Sequence, residues 1–431
     1  MKPSFNLEKY IKLLKPVASL SHLFSDNEVP YLNSKFVERL YVIASGARDT
    51  AADNSSFDAI VASNRGVGIK TFVSKKTSKS ETEKIAEFTK YANLGLFNDL
   101  DDEELLRKAI ELRNLRLKSD ASAYGLDIGS AIYHCLIRVE GGAFIHEEVM
   151  SLIDVSKLHL VDATGKPIKK CSGKMLMSDG SNVYSYNKSK RVLYKKFSFL
   201  TPPPKEFGGI IDLPINRNIL NEIGNTGFAL SSDITNDFCL QDVAQESLSL
   251  DRDEEIKDGV SKEKPKNFVI LPLYTSEDGQ KIVQQRSGIN QWNAGGRTRK
   301  FGEAYIPIPS WIHRYYPDFF PPRNQYFRLK LQDGTIQRAK ICQDGGKALM
   351  TDPNDRLCAW FYSSIEPNLA YEKIKERLLD KRPYQYSDLV SVGKDSVKVT
   401  KAIPGCDFDF SLTFCSLGTF EDFKDIAGIE D

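Results

Sequence analysis

Two charged side chains near the start of the chain have the spacing of a phosphodiester-cleaving site. Asp58 lies in the strand-like run SFDAIVA at 56–62, and Lys70 lies in the strand-like run GVGIKTFV at 66–73. The turn signal at 64–66 joins these runs into a hairpin, which places the carboxylate and the ammonium group on neighbouring strands. Carboxylate oxygens hold hard divalent ions such as Mg²⁺, and a nearby lysine polarises the attacking water or the phosphate. The pair predicts a metal-dependent nuclease; the alternative interpretation is an acid that ends a turn and a solvated lysine.

The arrangement resembles the PD-(D/E)XK nuclease core over about residues 30–75. That family has an Asp and then, on the following strand, an acid two residues before the Lys. Here this position is Gly68, so the second carboxylate must come from another element. The resemblance favours Glu38, because the fold often lends an acid from the preceding helix. The expected Mg²⁺ ligands are then Asp58 and Glu38, and the expected catalytic residues are these two acids and Lys70.

Other acids are alternative sources of the missing carboxylate. Glu83 and Glu87 come second, since some members of the family relocate the acid to the following helix, and Asp53 comes third. Ser80 and Glu83 also have the spacing of a capping box, which predicts a helix at Glu81–Tyr91. Aspartates in loops are commonly turn formers, which is the simpler explanation of the third candidate.

Other hydrolytic and nucleotide-dependent chemistries lack the residues that they need. The five histidines include no HxK pair, as a phospholipase-D-type nuclease requires, and they form no cluster with asparagines, as a ββα-metal nuclease requires. No Walker A loop is present, so an ATP-driven motor is not expected. The seven cysteines are scattered without CxxC spacing, which indicates free thiols rather than structural zinc.

Two polar, Gly-rich segments later in the chain carry side chains suited to nucleic acid. Arg, Lys, Asn and Gln match base edges and phosphates of duplex DNA. The first segment, arm 1, spans 286–300, and its candidate DNA-binding residues are Arg286, Asn290, Gln291, Trp292, Asn293, Arg297, Arg299 and Lys300. The second segment, arm 2, spans 343–356 and offers Gln343, Lys347, Asn354 and Arg356. We interpret the arms as gripping one duplex; the alternative is a pair of solvated loops, with Trp292 as a loop anchor.

The region around these arms resembles the B3-type DNA-binding pseudobarrel of plant auxin-response-type transcription factors. It is more similar still to the effector domain of some Type II restriction endonucleases. The matching stretches are Arg286–Gly288, Glu303–Pro309, Phe319–Arg323 and Gln343–Leu349, around AYIPIP, FFPPR and QDGGKAL. The resemblance covers roughly the last third of the chain. It implies that this region recognises a short sequence in double-stranded DNA.

The chain of 431 residues is expected to be an α+β protein of more than one domain. We expect a nuclease domain at 1–240 with an α/β core and a mixed sheet, whose PD-(D/E)XK-like core lies at about 30–120 and whose strand-rich part lies at 130–200. A charged linker is expected at 241–266. A β-rich, B3-like pseudobarrel is expected at 267–431.

These features lead to one main functional hypothesis, a Type II restriction endonuclease that uses Mg²⁺ and binds double-stranded DNA. Cutting both strands needs two active sites or one acting twice, so a homodimer is plausible. The formal net charge is +1, so any DNA-binding surface must be local. The sequence has no signal peptide and no apolar run of about 18 residues, so a cytoplasmic protein without a membrane partner is expected. The alternatives are a non-catalytic sequence-specific regulator and a methylation-dependent nuclease.

Overall fold

The computed structural model of the chain is α+β, as predicted. It describes residues 5–53, 55–62, 64–169, 175–218, 267–296, 302–379 and 382–429. Arg297, Arg299, Lys300 and the predicted linker at 241–266 lie outside these residues. Within the described chain, one compact unit comprises 5–88, 100–110 and 127–218, and a second comprises 89–99, 111–126, 267–296, 302–379 and 382–429. Segments 89–99 and 111–126 come from the region that the sequence assigned to the first domain.

The bounds of the elements are as follows. The helices are α1 Leu7–Ser19, α2 Ser34–Ser45, α3 Thr89–Asn93, α4 Asp102–Tyr124, α5 Ser310–Tyr315, α6 Asp355–Ile365, α7 Tyr371–Leu379, α8 Tyr386–Val392 and α9 Thr419–Ala427. The strands of the first unit are β1 Arg48–Asp49, β2 Ala59–Val61, β3 Arg65–Val73, β4 Ser80–Glu87, β5 Ile132–Val139, β6 Gly142–Val149, β7 His159–Leu160, β8 Met177–Ser178, β9 Val183–Asn187, β10 Val192–Ser198 and β11 Ile210–Asp212. The strands of the second unit are β12 Phe268–Pro272, β13 Thr275–Glu277, β14 Gln280–Ile282, β15 Ile306–Pro307, β16 Tyr326–Leu331, β17 Ile336–Cys342, β18 Ala348–Asp352, β19 Lys394–Lys401 and β20 Phe410–Ser416. Among the described residues, no helix combines the length and the apolar character that crossing a membrane requires.

A mixed sheet with the strand order β1-β2-β3-β5-β6-β11 organises the first unit. The predicted hairpin forms between β2 and β3, with Ala59 opposite Val67. Beyond the short β2, β3 continues beside β5 in parallel, with Lys70 opposite Cys135. This register places Asp58 immediately before β2 and Lys70 in the middle of β3.

Two amphipathic helices pack against this sheet. The side chains of Asn6 and Asn33 cap α1 and α2 by accepting hydrogen bonds from backbone N–H groups of the first turn. In α2, Val37 and Leu40 are buried in a core that they share with residues of β3. Glu38 lies between these apolar positions and is only half-buried. The packing of α2 therefore holds this acid beside the β2–β3 hairpin.

The region that contains Glu83 and Glu87 is a strand. β4 pairs antiparallel with β10 along its whole length, in a separate sheet of order β4-β10-β9-β8-β7. The predicted helix Glu81–Tyr91 is therefore wrong, and the capping box at Ser80 does not form. A cap contributes only about 1 kcal/mol, and pairing over a whole strand, with its cross-strand side-chain contacts, outweighs it.

The second unit is built on a sheet of order β12-β19-β20-β16-β17-β18-β15 that curls into a half-barrel. The predicted hairpin forms between β16 and β17, with Phe327 opposite Ala339. β20 adds to β16 in parallel and pairs with β19 on its other side. Aromatic side chains such as Trp360, Phe361 and Phe414 fill the core. The β-rich character that the sequence predicted for this region is confirmed.

The C-terminal part of α4 is an integral element of the second unit. Lys394 Nζ donates to Asp120 Oδ1 at 2.8 Å, and both side chains are less than a tenth exposed. Trp360 Nε1 donates to the carbonyl oxygen of Ala123 at 3.0 Å. Buried polar groups need such partners, so residues 111–126 satisfy groups that the rest of the unit would leave unpaired.

Candidate functional site

The N-terminal candidate site lies where β3 extends past the end of β2. Asp58 Oδ2 accepts a hydrogen bond from the backbone N–H of Ile69 at 2.6 Å, which fixes the carboxylate against β3. Burial raises the pKa of Asp58 above its ordinary value, although the positive charge of Lys70 and the Ile69 hydrogen bond oppose the shift. The carboxylate therefore sits in a poorly hydrated position within the electrostatic reach of the lysine.

Glu38 belongs to the same electrostatic cluster. Burial, and then the negative charge of Asp58, raise the pKa of Glu38 to about 7, while Lys70 opposes the increase. The negative charge of Asp49 also raises the pKa of Glu38, but by less. The negative charge of Asp58 thus raises the free energy of ionising Glu38, and a cation bound near both carboxylates would oppose this effect. The structure thus brings Glu38, Asp58 and Lys70 together.

The surroundings of Gly68 leave no room for a side chain at this position. An ideal Cβ at this position would lie 2.3 Å from Met150 Cε and 3.2 Å from Tyr133 Cδ1. Met150 therefore fills the space into which a side chain from this strand position would project. A carboxylate here would have to displace an apolar side chain and be buried beside a tyrosine ring, which is costly.

The alternative acids lie elsewhere or are differently engaged. Glu83 and Glu87 are on β4 in the other sheet, and Glu87 forms an ion pair with Lys84 at 3.2 Å. Asp53 ends the helical turn Ala51–Asp53. Within the described part of the chain, no three His, Cys, Asp or Glu side chains lie close enough to hold a metal ion together. Proteins commonly hold Mg²⁺ through one or two carboxylates together with water and phosphate oxygens, and Asp58 and Glu38 are the two candidate acids that interact electrostatically here.

A second charged cluster joins β6 of this sheet to β10 of the other sheet, and it was not predicted from the sequence. Glu148 accepts from Lys195 Nζ at 2.5 Å and contacts His146 Nε2 at 3.2 Å. Burial raises the pKa of Glu148. The hydrogen bond from His146 and the charge of Lys195 outweigh burial and hold this pKa below its ordinary value. Cys135, opposite Lys70, is buried, and its thiol lies within the field of both lysines. Lys195 appears in the sequence only as one lysine of a strand-like run, so no local signal marks the pair.

Arm 1 contains a buried anchor, Asn290. The Asn290 side chain is fully buried, and its Nδ2 donates to the carbonyl oxygens of Gln284 at 3.1 Å and Tyr384 at 2.9 Å. Its Oδ1 accepts from the backbone N–H of Tyr384 at 2.9 Å. This differs from the sequence expectation, because an amide committed to three backbone bonds is not available to a base edge. Asn290 instead ties arm 1 to the chain before α8.

The remaining described residues of arm 1 differ in exposure. Arg286 is exposed, whereas Gln291 is buried and Trp292 is half-buried and packs against the core of the unit. Asn293 is half-buried, and its Nδ2 donates to the carbonyl oxygen of Gln285 at 3.2 Å. Arg286 therefore has the best access to a ligand among these residues.

Arm 2 divides into two separate places. Gln343 and Lys347 are exposed on the loop before β18, whereas Asn354 and Arg356 lie beyond its far end, at the start of α6. The five residues of β18 separate them by roughly 16 Å, given about 3.3 Å per strand residue. Gln343 has a φ of 66° and a ψ of 166°, a conformation that costs a non-glycine residue roughly 1–3 kcal/mol and that clusters at functional sites.

The Arg286 loop and the Gln343–Lys347 loop flank the same short strand. The backbone N–H of Tyr305, just before β15, donates to the carbonyl oxygen of Gly288 at 3.2 Å. The backbone N–H of Ile308, just after β15, donates to the carbonyl oxygen of Lys347 at 2.9 Å. One element therefore positions the base of arm 1 and the first loop of arm 2, so that the exposed Arg286 and Lys347 lie on loops held by the same strand.

A comparison with protein families concerns the part of the chain that contains both arms. Residues 262–381 match the family model described as the NgoFVII C-terminal B3-like DNA-binding domain, a domain of restriction enzymes. The second unit carries a B3-like domain. The match covers little more than a quarter of the chain and includes both arms, but none of the first unit. It supports DNA as a partner of the B3-like domain. No curated protein matches the chain.

The B3-like domain has two further basic side chains beside arm 2, Arg323 and His313, that the sequence interpretation left out. Arg323, the last residue of FFPPR, forms an ion pair with Asp344 of the arm 2 loop at 3.0 Å. His313 Nε2 contacts the carbonyl oxygen of Gly346 in the same loop at 2.9 Å. The FFPPR stretch did signal the B3 resemblance, but its position beside arm 2 depends on the fold and could not be obtained from spacing.

Proposed function

We propose that this protein is a Type II restriction endonuclease. The B3-like domain recognises a short sequence in double-stranded DNA, and the first unit hydrolyses a phosphodiester bond with Mg²⁺. The observation that supports the catalytic half is the electrostatic interaction of Glu38 with Asp58 and Lys70 beside β3. The observation that carries the binding half is the family match across both arms.

In the proposed active site, Asp58 and Glu38 hold the Mg²⁺ ion. A divalent cation at this position would supply positive charge that stabilises the charge developing on the scissile phosphate. The hydrogen bond from the Ile69 N–H keeps the Asp58 carboxylate in place, and the packing of α2 does the same for Glu38. Lys70 orients the attacking water or the phosphate through its ammonium group. Because Glu38 has a pKa of about 7, loading the site near neutral pH releases a proton from this carboxyl.

On the DNA-reading side, we propose direct base contacts for Arg286 and Gln343 and a phosphate contact for Lys347. All three are exposed on the two loops that flank β15. Arg and Gln have forked groups that distinguish base edges, whereas a lysine acts mainly as a point charge. Four other residues would contribute at the margins of this surface. They are Asn354 and Arg356, which lie beyond the far end of β18, and the half-buried Trp292 and Asn293.

A homodimer is part of the proposal, because cleavage of both strands needs two active sites or one site used twice. Sedimentation of the protein with and without its DNA tests this part independently. If the protein is a monomer that nicks each strand in turn, the homodimer is wrong but the nuclease activity still stands.

The second candidate is a sequence-specific regulator without catalytic activity. It is favoured by the finding that the described residues contain no group of three potential metal ligands. Under this hypothesis, the buried charges of the first unit would serve folding alone.

Incubation with DNA of diverse sequence separates the two candidates. The full-length protein should convert the DNA into discrete fragments when Mg²⁺ is present and leave it intact with EDTA. Specific binding without any cleavage over a range of divalent ions would favour the regulator.

A further inference from the structure

A cationic cleft lies next to the arm 2 loop, and neither the family match nor the predicted arms assign it a role. It has a volume of about 640 Å³ and lies open to solvent. Phe319, Phe320 and Phe410 form its floor, and each is less than a tenth exposed. Arg323 and Lys401 stand among its lining residues. The cleft therefore combines an apolar floor with permanent positive charges.

The basic groups of the cleft are positioned by bonds to neighbouring loops. Lys401 Nζ donates to the carbonyl oxygen of Asp318 at 2.8 Å, and Lys401 lies over the Phe319 ring at 5.1 Å. His313 Nε2 lies 2.9 Å from the carbonyl oxygen of Gly346. Lys401 can thus face a ligand without first being ordered, which lowers the entropic cost of binding.

Arg323 is held less firmly than Lys401, and it can exchange its ion-pair partner Asp344 for a ligand. Its partner Asp344 is almost fully exposed, at 99%, and the Arg323 side chain is itself 51% exposed. An exposed ion pair of this kind contributes little, typically 0–1 kcal/mol, because water screens it. A phosphate group that enters the cleft can therefore replace Asp344 at little cost.

The cleft is continuous with the arm 2 loop. Gly345 and Gly346 line it, and both have φ near +70°, a backbone conformation that favours glycine. A Cβ on Gly346 would lie 3.0 Å from His313 Nε2, so this approach requires glycine. Lys347 follows directly and is exposed. A polyanion that contacts Lys347 would run on into the cleft.

We propose that this cleft binds the sugar–phosphate backbone of duplex DNA beside the sequence that the arms read, with Arg323 and Lys401 as phosphate contacts. The inference rests on the proposed DNA-binding function. A cleft of this size and openness suits a polymer strand that passes over it better than a single inorganic ion. Phosphates beside an apolar floor interact with the cations more strongly than in bulk water, because fewer water molecules screen them.

The salt dependence of binding tests the proposal. Each phosphate contact on duplex DNA contributes about 0.9 to the slope of log K against log salt concentration. Arg323→Gln and Lys401→Gln should each lower the slope of the full-length protein by about this amount, on specific and on random duplexes alike, measured without divalent ions. Arg323→Lys should retain the slope because it retains the charge.

Control variants make the outcomes distinct. Lys12→Ala removes an exposed, ion-paired lysine of α1 in the first unit and should leave the slope unchanged. Unchanged slopes for Arg323→Gln and Lys401→Gln, together with a reduced slope for Lys347→Ala, would overturn the cleft and leave DNA binding by the arms. Absence of DNA binding by the unaltered protein would refute the proposed function itself. Ethylation interference gives a second readout, since each cleft variant should lose sensitivity at a phosphate outside the recognised sequence.

Discussion

At the scale of single residues, the proposed active site depends on how two carboxylates share a partly buried position. Asp58 is held by a backbone N–H and lies near Lys70, whereas Glu38 comes from α2 and approaches from a different element. Sequence spacing identified Asp58 and Lys70 because a hairpin brings them together whatever the rest of the fold does. It could not identify the second acid with the same force, because the position of Glu38 depends on the packing of a helix.

The first prediction concerns the ionisation of Glu38. Its pKa in the folded chain is about 7, above the ordinary value of 4.5, so the folded state binds more protons between these values. The free energy of unfolding should therefore fall as the pH rises from about 4.5 to about 7. Glu38→Gln should remove this part of the pH dependence and make the protein more stable than the unaltered chain at pH 8 without metal. Urea unfolding at several pH values in EDTA measures it.

Mg²⁺ supplies the second half of this test. At pH 8 the ion should raise the unfolding temperature of the unaltered protein, because it binds the folded state and relieves the repulsion between Glu38 and Asp58. Glu38→Gln should lose most of this stabilisation, whereas Glu87→Gln, which alters an exposed acid on β4, should keep it. Equal stabilisation of all three proteins would show that the ion binds elsewhere.

The second prediction separates two asparagines of arm 1. Asn290→Ala leaves buried backbone groups of Tyr384 without partners and should lower the free energy of unfolding by about 1–3 kcal/mol for each unsatisfied group. Asn293→Ala removes one weaker, half-buried bond and should change stability little. Urea denaturation of the full-length variants measures this difference. Equal losses of stability would contradict the anchoring role of Asn290.

At the scale of elements, the sequence predicted those that local pattern determines and missed those that pairing determines. The β2–β3 and β16–β17 hairpins formed as predicted, because their turns and alternating runs agree with the sheet. β4 was mistaken for a helix because the capping-box spacing at Ser80 is local, whereas its pairing with β10 joins residues more than a hundred positions apart. Register is a property of two strands, and one strand alone does not reveal its partner.

The same limit applied to both candidate sites. Side chains on one loop, such as Arg286, could be proposed from composition, but the burial of Asn290 depends on a contact with Tyr384, more than ninety residues away. The Lys195–Glu148 pair and the contact of Arg323 with Asp344 were missed for the same reason. Charges that meet only through tertiary structure leave no spacing signal.

The third prediction concerns the C-terminal part of α4. Asp120→Ala leaves the buried ammonium group of Lys394 without its carboxylate partner, which should cost about 3–5 kcal/mol of stability in the B3-like domain. Chemical denaturation followed by the fluorescence of the tryptophans, which all lie in that domain, should show an earlier transition. A fragment that begins at 262 lacks residues 111–126 and should fold poorly by the same signal. A stable, cooperatively folded fragment would contradict this role of α4.

At the scale of the whole molecule, the near-neutral net charge does not describe how charges are distributed locally. The formal charge of +1 is compatible with local groups of cations, such as Arg286 in arm 1, which contains no acid, and Lys347 in arm 2, where Asp344 also lies. The first unit keeps charges of both signs in partly buried places, as the coupled Glu38, Asp58 and Lys70 do. Buried charges are costly unless they are paired, so their retention there is consistent with a chemical task rather than with stability.

The central claim is that Asp58 and Lys70 cut the DNA that the B3-like domain binds. The most direct measurement is cleavage of duplex DNA by Asp58→Asn and Lys70→Ala, with binding of the same DNA measured in EDTA. Lys76→Ala, which alters an exposed lysine of the same unit, is the control. We expect both site variants to bind as the unaltered protein does and to cleave more slowly by roughly 10²–10³-fold or more, because they lose the groups that stabilise charge in the transition state. Mg²⁺-dependent cleavage at the unaltered rate by both variants would contradict the account.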